Sequence, residues 1–156
     1  MKTLWKMFTV LTLAMVISIG SYASARVQVI HNSADPAAEV VDVWLNDILL
    51  IDNFKFRTAT PFIDAPAGTE FIIGIAGPKS ESASEAIWTQ NYTLADNETY
   101  VIVANGIVDA KGADVDRTFN LYVYGMGQEE AGSAGNTDVM VFHGSVNAPV
   151  VDVVEI

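Results

Sequence analysis

The length and period of the apolar runs constrain this chain more than any other feature. From residue 27 onward, β-branched and aromatic residues come in short stretches separated by Gly, Pro, Asn and Asp. The spacing predicts strands at 27–31, 40–45, 48–51, 70–76, 87–92, 100–105 and 119–124. In the last of these, Phe119, Leu121 and Val123 face one way and Asn120, Tyr122 and Tyr124 the other, the period-2 pattern of a half-buried antiparallel strand. Asn46-Asp47 suits a tight hairpin turn, since both residues tolerate positive φ. Pro66 and Gly68 mark another turn, within residues 64–68. No window here carries a long apolar stripe of period 3.6, and residues 80–86 have room for one helical turn. The expectation is an all-β chain, an immunoglobulin-like antiparallel sandwich of about seven strands. A small closed β-barrel is the alternative.

The first 25 residues read differently. Lys2 and Lys6 precede an apolar run from Met7 to Ile19, and Ala23-Ser24-Ala25 follows. A basic start, a short apolar stretch and small residues at alternate positions are what a signal peptidase substrate needs. The apolar run falls short of the ~20 residues that span a bilayer core. We therefore expect a signal peptide over 1–25, cleaved after Ala25, and a chain that is exported to the periplasm, cell surface or medium without membrane insertion. No cysteine is present, so anchoring through a lipidated cysteine, thiolate chemistry and disulfides are excluded.

Composition narrows the partners. Removing the leader takes Lys+Arg from 8 to 6 while Asp+Glu stays at 19, a net charge of about −13. Nucleic acid and anionic membrane are poor partners for such a surface, because binding them requires cations at phosphates. The partner expected is an unidentified surface protein or glycan.

An internal repeat organises the chain. Residues 26–33, RVQVIHNS, return at 138–145 as DVMVFHGS, and VVDV at 40–43 returns at 150–153. The period of about 110 residues is that of a domain, not of a solenoid. Residues 128–137 have linker composition. The division expected is a domain over 26–127, a linker over 128–137, and the start of a second copy over 138–156. If Ile156 is a true end, residues 138–151 are expected to add as an edge strand to the first domain or to a neighbouring chain, because an unpaired apolar strand invites pairing.

On these residues the chain resembles a prokaryotic family, the domain of unknown function 4397. The resemblance is carried by residues 26–36 and 41–46, by 56–62 and 65–69, and by 94–100. It implies a secreted or cell-surface sandwich, often in tandem copies. It brings no activity and no catalytic residues.

The candidate sites follow from the repeat and from composition. His31, Ser33, Asp35 and Asp42 form a motif that His143 and Asp152 echo. A His, Ser and Asp set is the material of a hydrolase triad. However, no G-x-S-x-G elbow accompanies it, and Ser33 sits in a turn where a hydroxyl bonds backbone. The motif therefore reads as structural, with His31 bonding the loop that follows and Asp42 paired to that loop or to His31. Asp109, Asp114 and Asp116 on one loop offer oxygen ligands for calcium, without an EF-hand spacing. Tyr122 and Tyr124 project from one strand face and could stack on a sugar. The function expected is a non-enzymatic structural or binding module with no cofactor. A calcium-dependent or carbohydrate-binding adhesion module and a hydrolase using His31 and Asp42 are the alternatives.

Overall fold

A computed structural model describes residues 23–108, 117–146 and 148–154. The leader expected over 1–25 lies outside them except for Ala23–Ala25. Eight strands occur among the described residues: β1 (Ser24–His31), β2 (Val40–Leu45), β3 (Ile48–Lys55), β4 (Ile63–Pro66), β5 (Glu70–Ala76), β6 (Trp88–Thr93), β7 (Thr99–Asn105) and β8 (Asn120–Tyr124). They form two four-stranded sheets, β4-β1-β7-β8 and β3-β2-β5-β6, and the chain is a β-sandwich rather than a closed barrel. All pairings are antiparallel except β1 with β7, which run parallel from Arg26↔Thr99 to His31↔Ala104.

The alternation expected from sequence sets the core. Ala25 and Val27 of β1, Val41 and Val43 of β2, and Phe71, Ile73 and Ile75 of β5 meet Ala104 and Leu121 between the sheets. Trp88 closes one end, edge-on to Phe119 with centroids 5.2 Å apart. Burial of this kind stabilises at roughly 25 cal/mol per Å² of apolar surface. The turns behave as their residues dictate. Asn46 adopts φ 51° and its side-chain oxygen accepts from Ile72 N at 2.9 Å, while Gly68 takes φ 71°.

Three local expectations change. β4 falls where a turn was expected, because Ile63–Pro66 pairs with the first four residues of β1. β3 runs past Ile51 to Lys55, with a register irregularity opposite Val41–Val43. Residues 138–146 and 148–154 contain no strand, so among the described residues the edge strand expected on the first domain is absent. Phe142 instead sits against Tyr122 and Tyr124, with centroids 5.4 and 6.1 Å away, and Gly144 O accepts from Asn105 Nδ2 at 2.8 Å. These contacts lay the segment across the outer face of the β4-β1-β7-β8 sheet instead of along its edge. Val101 and Val103, which have the opposite parity to the core-facing Ile102 and Ala104, are buried on this face.

Candidate functional site

His31 ends β1 on the inward face and is 1% exposed. Its Nε2 lies 2.8 Å from Ala38 O. A carbonyl only accepts, so Nε2 carries the proton and Nδ1 is the bare nitrogen. That Nδ1 is buried and has no hydrogen-bond partner among the described residues. Phe54 and Phe56 pack around the ring at 5.5 and 6.1 Å. Burial pushes the imidazole below its ordinary 6.5, and the Ala38 bond offsets this only in part. The ring is therefore held neutral and locked in one tautomer.

Ser33 and Asp35 are committed to the same corner. Ser33 Oγ, fully buried, donates to Gly106 O at 2.6 Å. Asp35 caps a short 3-10 turn, Pro36–Ala38, by accepting from Ala37 N at 2.9 Å, and its second oxygen accepts from Val108 N at 2.8 Å. One oxygen thus holds the turn whose Ala38 carbonyl meets the His31 ring, and the other holds the chain at Val108.

Asp42 lies in the other sheet. Its neighbours Val41 and Val43 point into the core, so Asp42 faces outward, yet it is fully buried. Oδ1 accepts from Asn53 N, and Oδ2 accepts from Ser80 N and Ser80 Oγ, each at 2.8 Å. Trp44 Nε1 donates to Ser80 Oγ at 2.8 Å, which ties the 77–86 loop over this face. Burial alone would raise the Asp42 pKa. The bonds from Asn53 and Ser80 outweigh it and hold the carboxyl below its ordinary value. The pairing expected for Asp42, with the loop after β1 or with His31, is thus corrected. Its partners are Asn53 and Ser80, because the strand alternation turns Asp42 away from the core that His31 faces.

The second copy of the motif is laid out more loosely. His143 Nε2 lies 3.0 Å from Pro149 O and is exposed, and Asp152 is exposed. Tyr122 and Tyr124 share one face of β8, as the alternation requires, with Phe142 against both rings. Asp109, Asp114 and Asp116 lie outside the described residues. Among the described residues, no group of three or more His, Asp or Glu side chains is placed to hold a metal.

Arg26 is the feature that sequence reasoning passed over. Its guanidinium donates to Glu129 Oε1 and Oε2 at 2.6 and 3.0 Å, to Asp64 Oδ1 at 3.0 Å and to Phe62 O at 3.0 Å. The hydrogen bond from Arg26 holds the Glu129 carboxyl below its ordinary value. A lone arginine opening a strand in so acidic a chain was the signal available. The region expected as a linker is thereby pinned at Glu129 to β1 and β4, and the segment after it is pinned at Gly144 to β7.

The two sheets, with a polar motif consumed in holding loops, define a β-sandwich module. The family model for the domain of unknown function 4397 matches residues 25–154, most of the chain, and the protein belongs to that family. No curated protein matches the chain.

Proposed function

We propose that this chain is an exported, non-enzymatic β-sandwich module that serves as a structural or binding unit of a secreted or cell-surface protein. The observation that carries the reading is the fate of the His, Ser and Asp set. His31 Nε2 donates its proton to the Ala38 carbonyl, Ser33 donates to Gly106, and Asp42 is saturated by Asn53 and Ser80. A general base needs its nucleophile within hydrogen-bond reach. Here each group has instead closed a loop onto the sandwich. The binding half of the reading rests on the ring cluster of Tyr122, Phe142 and Tyr124, the last 40% exposed. Aromatic faces of this kind suit a glycan or an extended surface protein.

The test has two arms. Cell fractionation of the full-length precursor should place the protein outside the cytoplasm, and cytoplasmic retention would overturn export. The purified protein should turn over no ester or peptide substrate above buffer. Turnover that disappears in His31→Gln would overturn the non-enzymatic reading. A glycan array that gives signal with the protein and loses it with Tyr124→Ala would assign the partner class.

A further inference from the structure

The small-x-small pattern that signal peptidases read occurs in overlapping frames near the end of the leader. Ala23 and Ala25 allow a cut after Ala25, and Ser21 and Ala23 allow a cut after Ala23. Sequence alone favours the first, because Ala-Ser-Ala is the better match. The fold weighs against it.

Ser24 and Ala25 are the first two residues of β1, paired with Pro66 and Ala65 of β4. Ala25 is 1% exposed and belongs to the core cluster. Ser24 O accepts from Asn97 N at 2.9 Å. The pairing of β4 runs only from Ser24↔Pro66 to Val27↔Ile63, so a cut after Ala25 would take away half of it. It would also strip a buried alanine from the core and leave the Asn97 amide without its acceptor. A cut after Ala23 keeps every one of these contacts and gives up one, the 3.1 Å bond from Ala67 N to Ala23 O. It also creates something. Ser24 N already donates to Asp96 Oδ1 at 2.9 Å. As the first residue, Ser24 would present an ammonium at that position, and a neutral hydrogen bond would become a charge-assisted one.

We propose that the exported chain begins at Ser24, by hydrolysis of the Ala23–Ser24 peptide bond, and that Asp96 is the receptor for the new terminus. Water supplies the hydroxyl to the Ala23 carbonyl carbon, leaving a carboxylate on the released leader. Both protons of that water end on the Ser24 nitrogen, one directly and one as the new carboxylic acid ionises, so that the nitrogen is an ammonium at neutral pH. The catalyst is the signal peptidase of the exporting cell. The inference rests on the export reading above.

The experiment is to express the full-length precursor in an exporting bacterial host, recover the extracytoplasmic protein, and determine its intact mass and amino-terminal sequence. A single species beginning Ser24-Ala25-Arg26 is expected. A start at Arg26 or Ser21 overturns the inference and leaves export standing, whereas an uncleaved chain in the cytoplasm overturns both. A second measurement tests the receptor. Asp96→Asn should lower the Tm of the exported protein by a few degrees at pH 7, with the gap from wild type closing above pH ~9, where an α-amino group of ordinary pKa ~8 has lost its charge. A gap that stays constant through that range would reduce Asp96 to an ordinary acceptor and overturn its role as receptor.

Discussion

The chain contains one motif in two settings, and the contrast separates what a short stretch of sequence specifies from what a sheet supplies. In Arg26–Val43 the motif is β1, a capped turn and β2, with His31 buried and its Nε2 2.8 Å from Ala38 O. In Asp138–Val153 the same pattern of Val, Val, His and Val-Val-Asp-Val contains no strand among its described residues. Val139 is 77% exposed there and Val141 62%. Yet His143 still reaches Pro149 O, the carbonyl just before the repeated Val-Val-Asp-Val. The histidine clasp is therefore local: the ring meets a carbonyl seven residues on in the first copy and six on in the second, just ahead of the next apolar run. Strand geometry and burial are not local. They come from β4 and β7 on either side of β1, partners that the later segment lacks among the contacts described here.

The comparison can be broken first at the aspartates. Asp42→Ala should cost about 3 kcal/mol in denaturant unfolding, because it orphans the Asn53 and Ser80 amides. Asp152→Ala should stay within about 0.5 kcal/mol, as exposed substitutions do. Equal losses would mean that the second copy is as firmly built as the first. The histidines should differ in the same direction by less. His31→Ala empties a buried site and frees the Ala38 carbonyl, at about 2 kcal/mol, while His143→Ala should be near neutral.

Phe142→Ala sharpens the contrast from the other side. Removing the ring from Tyr122 and Tyr124 should cost about 1 kcal/mol and raise amide exchange in 138–146 without altering protection of β1. A loss of β1 protection would show that the segment supports the whole sheet rather than lying on it. The smallest effect is in pH. His31 titrates lower in the folded chain than its ordinary 6.5, so the unfolded chain takes up its proton first as pH falls. The His31 contribution to stability should be flat above about pH 6.5 and decline as pH drops below it toward the folded value. His31→Gln should remove that decline, whereas His143→Gln should leave it unchanged.

Much of this was legible in the sequence. Seven of the eight strands followed from period and turn residues, since a half-buried strand has to alternate. β4 was not, because Ile-Asp-Ala-Pro carries two strand breakers and its partner includes Ser24 and Ala25, residues that sequence alone assigns to the leader. The end of β3 was hidden for a related reason. Asp52-Asn53 reads as a turn, but Asn53 takes φ 52° inside the strand and gives its amide to Asp42. At the site, the structural role of Ser33 and Asp35 was visible in their turn chemistry. The partners of Asp42 were not, since Ser80 lies 38 residues away on a loop without a distinguishing pattern.

The parallel pairing of β1 with β7 sets an order of assembly. Residues 40–93 contain the whole of the β3-β2-β5-β6 sheet, which can close as soon as they are available. β1 lies between β4 and β7, so it has to wait for a strand that begins 75 residues after its own start, at Thr99. Contacts of such long separation form late. The amino-terminal strand is therefore the last of the early segments to be enclosed. Until Thr99–Asn105 is in place it remains an open chain, within reach of a protease that could not reach it in the finished sheet.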